Sequence, residues 1–342
     1  MDRVTVAIAT PLEEELVDRI RGVDERLDVL FEPDLLPPPR YPSDHGGDPG
    51  FTRTVEQQQH FTRLVAGAEV ALGIPNESPA GLAWLVRAAP DLRFVQCMYA
   101  GAGQQVRAAD LTVEELDRIA FASSSGVHAV PLAEWSLFGI LALTKGLPRL
   151  LRDKRERRWD HYPLGELPGK TVLVVGLGEI GREVARLADA FGMRVLAVRR
   201  TADAHAAGPE QLPELVAEAD AVVVTLPLTE ETRGLIGRDT FARMRDGAIL
   251  VNVGRGAVVD EEALVEALGS GKLAGAALDV FAEEPLPASS PLWELENVIL
   301  SPHTAALSIK ENERIVALFG ENLRRYLRGD ELRSRIRTSV FY

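Results

Sequence analysis

Short runs of β-branched and apolar residues alternate with amphipathic helical patterns along most of this 342-residue chain. Such alternation is typical of βαβ units, in which parallel strands lie buried between helices. The runs form two series, and the predicted strands cover residues 4–8, 28–31, 70–74, 93–98 and 119–122, then 171–175, 195–198, 221–225, 249–252, 276–279 and 298–300. The pattern predicts an α/β fold made of two doubly wound parallel sheets.

The length also indicates two domains, since a typical domain has about 150 residues. A long helical pattern over 131–159, interrupted near Gly146 and Pro148, separates the two series of strands. Its wide apolar side is consistent either with packing against another subunit or with packing across the chain's own two domains. A last amphipathic helix is predicted over 310–327.

Two local features are predicted in the first series. Thr10, with Pro11 next and Glu13 three residues later, has the spacing of a capping box, in which side chains satisfy the free backbone donors of a helix start. Residues 33–50 contain six prolines and three glycines. This composition excludes a helix or a central strand and predicts a surface loop.

Composition and charge exclude several classes of protein. Hydrophobic residues make up 46% and charged residues 26% of the chain, which excludes a disordered protein. The net charge of −13 disfavours nucleic acid as a partner, because an acidic surface repels phosphates. Cys97 is the only cysteine, so an internal disulfide and a thiolate metal cage are excluded, and we expect no metal.

The sequence also gives an expectation of cellular location. The first residues lack the pattern of a signal peptide. The longest apolar stretch within a helical pattern, 135–143, is shorter than the ~20 residues that cross a bilayer. We therefore expect a cytoplasmic protein without a membrane partner.

A glycine-rich turn follows the Val-rich strand at 171–175 and precedes a helical pattern. The first glycine permits a tight turn, the second lets backbone approach a pyrophosphate, and the third allows close contact between helix and strand. The free N–H groups at the start of the helix then face the anion. The order of strand, turn and helix favours a dinucleotide site over a purely structural turn, with contacts from Gly176, Gly178, Glu179, Ile180 and Gly181.

The end of the next strand indicates which dinucleotide binds. An acidic residue is expected about 20 residues after the glycines in proteins that bind NAD, whereas this chain has Arg199, Arg200 and Thr201. A guanidinium cannot accept a hydrogen bond from a ribose hydroxyl, but it pairs well with a 2′-phosphate. We therefore predict a preference for NADP(H). The alternative is that the arginines are only solvated and that NAD(H) binds through its other contacts.

Three further strand ends carry candidate catalytic residues. Arg255, Glu284 and His303 each follow a predicted strand, and ligands of doubly wound sheets bind beyond the carboxyl ends of the strands. The three side chains are therefore expected beside the nicotinamide. Each has an ordinary alternative on its own: a turn residue, a loop acid and a helix cap.

Taken together, these segments resemble the D-isomer-specific 2-hydroxyacid dehydrogenases, a family that includes glyoxylate/hydroxypyruvate reductases. The resemblance covers most of 127–306, and further matching segments are Gly169-Lys170-Thr171, Leu226-Pro227-Leu228-Thr229 and Thr232-Arg233-Gly234-Leu235-Ile236. The first ~100 residues resemble the family only through their α/β pattern and the segment from Tyr99 to Gly103.

The resemblance implies a role for each candidate residue. Arg255 would bind the substrate's carboxylate and 2-oxygen, His303 would be the general acid and base, and Glu284 would hold the other imidazole nitrogen and favour the protonated ring. The implied substrate-binding segment is Tyr99, Ala100, Gly101, Ala102 and Gly103. The implied lining of the cofactor site is Thr225, Leu226, Pro227, Asn252, Val253, Asp279, His303, Ala305 and Ala306.

The resemblance also implies an architecture. Residues 127–305 would form the dinucleotide-binding domain, and residues 1–126 with 306–342 would form the substrate domain. The family has its active site in a cleft between these domains and forms homodimers, here through 131–159. His128 precedes this helix, and its role, in the pocket or in the structure, stays open. His45, His60, His161 and His205 are expected to be solvated.

The implied activity is the reduction of a small 2-keto acid to a D-2-hydroxy acid with NADP(H), with NAD(H) as the other possible cofactor. Formate dehydrogenases of similar sequence have an amide at the position of Glu284, so this carboxylate favours a 2-keto acid. Glyoxylate and hydroxypyruvate are the first candidate substrates. Two alternatives are a phosphite dehydrogenase, which uses the same Arg–Glu–His set, and a non-enzymatic corepressor that senses dinucleotides.

Overall fold

The computed structural model of the chain describes residues 3–341, in which eleven strands and twelve α-helices follow one another. The strands are β1 (Val4–Ile8), β2 (Leu27–Leu30), β3 (Val70–Leu72), β4 (Phe94–Gln96), β5 (Ala120–Ala122), β6 (Thr171–Val175), β7 (Arg194–Val198), β8 (Ala221–Val224), β9 (Ala248–Asn252), β10 (Leu273–Leu278) and β11 (Val298–Leu300). The helices are α1 (Glu14–Arg21), α2 (Val55–Ala66), α3 (Pro79–Ala88), α4 (Gly103–Ala108), α5 (Val113–Arg118), α6 (Ala129–Thr144), α7 (Leu147–Glu156), α8 (Glu179–Ala190), α9 (Leu212–Glu218), α10 (Arg238–Arg243), α11 (Glu261–Gly269) and α12 (Glu311–Arg328).

The chain divides into two compact units, each with its own sheet. The first unit contains the chain up to Val127 and from Leu307 onward, and the second contains His128–Ala306. In the first unit the strand order is β2-β1-β3-β4-β5, and in the second it is β11-β10-β9-β8-β6-β7. All of these strand pairs are parallel. The predicted α/β fold with two parallel sheets is confirmed.

Each sheet is covered by helices on both faces. In the first unit α1 and α12 bury one face, with Ile20 and Phe319 in the same core cluster, and α2 and α3 bury the other. In the second unit α6 and α8 cover one face, and α9, α10 and α11 cover the other. All five residues of β6 are buried, which explains its continuous apolar run, because a central parallel strand is covered on both sides.

The strand order of each sheet defines where a ligand can bind. In the second sheet β6 has β7 on one side and β8 on the other, so the chain leaves β6 and β8 in opposite directions. In doubly wound sheets the crevice at such a reversal, beyond the carboxyl ends of the strands, is the usual ligand site. The loops after β6, β8, β9, β10 and β11 all lie at this edge.

The predicted capping box at Thr10 is wrong. The first helix begins at Glu14 with Glu13 as its N-cap residue, and no side chain caps it. Thr10 instead donates from Oγ1 to the backbone oxygen of His45, at 3.0 Å. The Thr10 hydroxyl is therefore hydrogen-bonded to a buried carbonyl of the 33–50 loop and does not form the helix cap that the local spacing predicts.

The prediction that His45 is solvated is also wrong. Its side chain is buried, Nε2 lies 2.8 Å from Oδ1 of Asn312, and its ring packs edge to face with that of Tyr99. The other three histidines of that prediction, His60, His161 and His205, are exposed.

The long helical pattern over 131–159 forms two helices, α6 and α7, which meet at 58°. Gly146 stands between them with φ of 62°, a left-handed conformation that glycine adopts without strain. Within residues 3–341 no single helix has the length and apolar character to cross a membrane, although this bent pair passes the same criterion when taken together.

Candidate active site

The glycine turn after β6 has one closed side and one open side. Gly176 has φ of 111°, and a Cβ at Gly181 would lie 2.1 Å from the backbone oxygen of Gly176, so neither position accepts a side chain. A Cβ at Gly178 would meet no heavy atom within 4 Å. The turn therefore packs tightly on the protein side while the backbone at Gly178 stays accessible to a ligand.

The loop after β8 braces this turn from the neighbouring strand. Thr225 donates from Oγ1 to the backbone oxygen of Gly176 at 2.6 Å. A Cβ at Gly176 would lie 2.8 Å from the same Oγ1. Of the residues that follow, Leu226 is half-buried against the core of the unit and Pro227 is exposed. Thr225 therefore fixes the shape of the turn from its closed side.

The arginines after β7 lie at the end of the strand next to the glycine turn. The backbone N–H of Arg199 donates to the oxygen of Ala207 at 3.0 Å, and its guanidinium forms an ion pair with Asp203. Arg200 and Thr201 are exposed. Two positively charged side chains, those of Arg199 and Arg200, thus follow the carboxyl end of β7.

The loop after β9 presents Arg255. Asn252, which is buried, accepts from the N–H of Gly254 at 3.0 Å and donates to the backbone oxygen of Arg255 at 3.2 Å. Nη1 of Arg255 lies 2.7 Å from the oxygen of Gly254. Val253, in the same loop, is buried. The Asn252 side chain therefore fixes the backbone just before and just after the Cα of Arg255.

The loop after β10 presents Glu284 and is tied to the Arg255 loop. Glu284 accepts from the N–H of Phe281 at 3.0 Å, and Glu261 of α11 accepts from the N–H of Ala282 at 3.1 Å. A Cβ at Gly256 would lie 1.9 Å from the carbonyl carbon of Phe281. The two loops are thus in direct backbone contact, which only a glycine at 256 permits.

The loop after β11 presents His303 in an unusual backbone conformation. His303 has φ of 55°, in the left-handed region that non-glycine residues rarely adopt. Its N–H donates to the backbone oxygen of Asp279 at 2.9 Å, and Oδ1 of the buried Asp279 accepts from the N–H of Ala305 at 2.9 Å. Asp279 thus holds the His303 loop at two points, and Ala305 and Ala306 pack in the core cluster beneath α6 and α8.

Two of the three predicted catalytic side chains form a hydrogen bond. Nδ1 of His303 lies 2.7 Å from Oε2 of Glu284. Burial alone would raise the pKa of Glu284, but the hydrogen bonds from His303 and Phe281, and then the electrostatic attraction of His303 and Arg255, bring this pKa below its ordinary value. Glu284 is therefore an ionised carboxylate at neutral pH, and the charge of Arg255 contributes to keeping it ionised.

The predicted substrate-binding segment lies in the first unit, after β4. Tyr99, Ala100 and Gly101 are exposed, whereas Ala102 and Gly103 are buried. A Cβ at Gly103 would lie 2.0 Å from the oxygen of Phe341, so packing against the C-terminal segment explains this glycine. In the second unit His128 is the N-cap residue of α6 and its side chain does not cap the helix.

Sequence reasoning missed the acidic partners of the site. Asp203 is ion-paired with Arg199, and its position four residues after the arginine is a usable signal. Glu261 has no such signal, because its bond to Ala282 joins a helix to a loop 21 residues away. In the part of the chain that the structure describes, no group of three or more His, Cys, Asp or Glu residues could hold a metal ion.

Comparison with known proteins identifies a family. Residues 137–305 match the family described as D-isomer specific 2-hydroxyacid dehydrogenase, NAD binding domain. The glyoxylate reductase of Korarchaeum cryptofilum is 38% identical over 254 residues, which are 71% of this chain and 75% of that protein.

Solved structures agree over nearly the whole chain. The D-isomer specific 2-hydroxyacid dehydrogenase from Xanthobacter autotrophicus Py2, in complex with NADPH and MES, has a TM-score of 0.74 and 29% identity, and the match covers 98% of this chain and 100% of that one. A probable 2-hydroxyacid dehydrogenase from Rhizobium etli CFN 42, in complex with NADP, HEPES and L(+)-tartaric acid, has a TM-score of 0.69 and 26% identity, with 100% of both chains covered.

Proposed function

This chain belongs to the D-isomer-specific 2-hydroxyacid dehydrogenase family, and from that premise we propose that it reduces a small 2-keto acid to the D-2-hydroxy acid with NADPH. The coarser statement, an NAD(P)-dependent dehydrogenase, follows from the family itself. The proposal adds the direction, the stereochemistry, the cofactor preference and the residues that act.

One observation carries the proposal: the hydrogen bond of 2.7 Å between Glu284 and His303, with the charge of Arg255 acting on the same carboxylate. An imidazole held by a carboxylate is a proton donor and acceptor of fixed orientation. A neighbouring guanidinium suits a substrate that carries a carboxylate beside its reacting carbonyl.

The glycine turn supports a dinucleotide in the same unit. The open side of Gly178 and the start of α8 fit a pyrophosphate, since backbone N–H groups are presented there without an obstructing side chain. When bound, the nicotinamide supplies the hydride to the substrate's C2 and accepts it in the reverse reaction. We assign the adenosine end to Arg199 and Arg200, whose charges favour a 2′-phosphate.

The protein's own residues bind the substrate and move the proton. The planar guanidinium of Arg255 binds the carboxylate and polarises the carbonyl through its parallel N–H donors. Nε2 of His303 donates a proton to the carbonyl oxygen as it becomes a hydroxyl, and it takes that proton back in the oxidation direction. Glu284 keeps Nδ1 engaged, so that Nε2 is the nitrogen that faces the substrate.

The two units take different parts in this proposal. We assign dinucleotide binding, proton transfer and the Arg255 contact with the substrate to the second unit. To the first unit we assign a further contact with the substrate carboxylate, through backbone N–H groups around Gly101 to Gly103. We also propose a homodimer through 131–159, supported by the exposure of Phe138, Leu151 and Trp159 in and just after α6 and α7. Sedimentation of Leu151→Glu as a monomer, against a wild-type dimer, tests this assignment.

A screen of NADPH oxidation tests the main proposal. Its substrates are glyoxylate, hydroxypyruvate, pyruvate, 2-ketobutyrate and phenylpyruvate, and chiral chromatography identifies the product. We expect turnover of at least one 2-keto acid to a D-product, with a higher kcat/KM for NADPH than for NADH. Oxidation of phosphite with NADP⁺, without turnover of any 2-keto acid, would indicate a phosphite dehydrogenase. Tight NADPH binding without turnover of any substrate would indicate a regulator.

A further inference from the structure

The loop that follows β7 is a short, closed excursion from the sheet. Val198 and Ala207 form an isolated parallel bridge, and the N–H of Ala207 donates to the oxygen of Ala197 at 2.9 Å. The N–H of Asp203 donates to the oxygen of Ala206 at 3.0 Å. The loop therefore returns to the strand it left and holds Asp203 at a fixed place.

Asp203 is bound from two directions. Its Oδ1 accepts from the N–H of His205 at 2.9 Å and from the N–H of Ala206 at 3.0 Å, and its Oδ2 pairs with the Arg199 guanidinium. The His205 hydrogen bond most of all, and then the charge of Arg199, lower the pKa of Asp203 against the opposing effect of burial. Asp203 thus carries a full negative charge at neutral pH.

The two arginines beside this loop are not equivalent. Arg199 is engaged by Asp203, whereas no carboxylate among residues 3–341 lies within ion-pair distance of Arg200. A ligand phosphate at Arg199 must therefore share the guanidinium with a fixed carboxylate and accept its negative charge as a neighbour. A ribose hydroxyl at the same place is neutral and meets no such repulsion.

We infer that Asp203 is a specificity-determining residue that weakens the binding of the 2′-phosphate at Arg199 and so narrows the preference for NADP(H) over NAD(H). The inference rests on the proposed use of NADP(H). In proteins that bind NAD, the acidic residue that selects the nucleotide stands at the end of the strand. In this chain we assign a selecting carboxylate to Asp203, a loop residue four positions after Arg199. About two fifths of the Arg199 side chain and of the Asp203 side chain is exposed. Solvent therefore weakens the repulsion between Asp203 and the 2′-phosphate, and we expect a moderate effect on affinity.

Binding of two nucleotide fragments tests the inference without any turnover. Calorimetry on the full chain compares adenosine 2′,5′-bisphosphate, which carries the 2′-phosphate, with 5′-AMP, which does not. The variant Asp203→Asn keeps an oxygen for the N–H groups of His205 and Ala206 and removes only the charge. We expect the bisphosphate to bind about threefold to tenfold more tightly to this variant, with 5′-AMP nearly unchanged.

Ionic strength separates an electrostatic role from a structural one. The gain for the bisphosphate should shrink as salt is added, because screening weakens the repulsion that the substitution removes. Glu218→Gln is the matched control, since Glu218 pairs with Arg194 at 2.7 Å at the other end of β7. It removes the same charge and the same kind of ion pair, and it should leave both fragments unaffected. Asp203→Ser, whose hydroxyl also accepts from backbone N–H groups, is a second test should the amide disturb the loop.

The possible results distinguish this inference from the proposed function. An unchanged or weaker affinity of Asp203→Asn for the bisphosphate overturns the inference, as does an equal gain for 5′-AMP. Equal binding of both fragments by the wild type counts against the preference for NADP(H), while the change in the variant still decides the role of Asp203. Failure of the wild type to bind either fragment overturns both.

Discussion

Glu284 and His303 come from loops after different strands, β10 and β11, yet Oε2 of one lies 2.7 Å from Nδ1 of the other. Because Nδ1 is taken, Nε2 is the ring nitrogen that remains for a substrate; no residue between 3 and 341 forms a hydrogen bond with it. The left-handed backbone of His303 also supports a functional role for this residue, because strained conformations persist mainly where the surrounding structure and the function require them.

The first prediction concerns the proton. His303→Asn removes the general acid, while asparagine tolerates the left-handed backbone that His303 adopts. We expect kcat for keto-acid reduction to fall by about 10²-fold to 10⁴-fold, the usual contribution of general acid catalysis. Stopped-flow and steady-state kinetics measure this loss, and NADPH affinity should change little. The control is His161→Asn, an exposed histidine of the same unit, which should behave as wild type. A normal kcat with lost NADPH binding would contradict the assigned role.

The second prediction concerns the pH profile. Glu284→Gln replaces an ionised carboxylate by a neutral amide of the same shape, so the positive charge of a protonated His303 is no longer stabilised. Reduction needs that proton, and its pH–rate profile should therefore shift toward acid, with a larger loss of rate at neutral pH than at lower pH. Profiles of kcat/KM for both reaction directions measure the shift. A uniform loss of rate at every pH would instead indicate that Glu284 acts only through ring orientation.

The third prediction concerns substrate binding. Arg255→Lys keeps the positive charge but loses the two parallel donors that match a carboxylate. We expect kcat/KM for the keto acid to fall by about tenfold to a hundredfold, in line with the strength of hydrogen bonds to charged groups, mainly through a higher KM. Arg238→Lys, at an exposed ion pair with Glu266, provides the comparison and should have no effect. If KM for NADPH rose instead, Arg255 would belong to the cofactor site.

The fourth prediction separates the glycines of the turn. Gly181→Ala places a Cβ 2.1 Å from the oxygen of Gly176, so it should lower stability by about 1–3 kcal/mol, as overpacking does. Gly178→Ala meets open space and a backbone that alanine can adopt, so its Tm should be that of wild type, whereas its affinity for NADPH should fall. Thermal denaturation and nucleotide titration distinguish the two. Normal NADPH binding by a stable Gly178→Ala would contradict the proposed approach of the pyrophosphate.

The parts of the fold that depend on local period could be predicted from the sequence. The strand β6 and the turn after it are contiguous in the chain, and parallel topology then brings the ends of β9, β10 and β11 to the same edge. Arg255, Glu284 and His303 could be assigned to one site for that reason. Their hydrogen bonds could not, because the distance between two loop side chains depends on contacts such as the one between Gly256 and Phe281.

The burial of some polar side chains could not be predicted from the sequence, because it depends on contacts with residues far away in the chain. His45 stands in a loop rich in proline and glycine, and its partner Asn312 is 267 residues away. Thr10 likewise bonds to that loop and not to the helix after it. Glu77 is a third case: it lies in a polar segment, yet both of its carboxyl oxygens are buried and make no hydrogen bond of normal geometry within the described residues.

Burial raises the pKa of Glu77 to about 8, and the nearby Ile74 backbone and Gln105 amide offset this only in part. A folded pKa above the ordinary 4.5 means that, between these values, the unfolded chain loses a proton that the folded chain keeps, so stability falls as pH rises through this window. Glu77→Gln removes the titrating group and should be more stable than wild type at about pH 8 and nearly equal at about pH 4.5, because the cost accumulates between the two pKa values. Urea denaturation across this range measures the difference, with exposed Glu25→Gln as the control whose difference from wild type stays constant. A gap between wild type and Glu77→Gln that does not grow with pH would show that Glu77 is not held as a neutral acid.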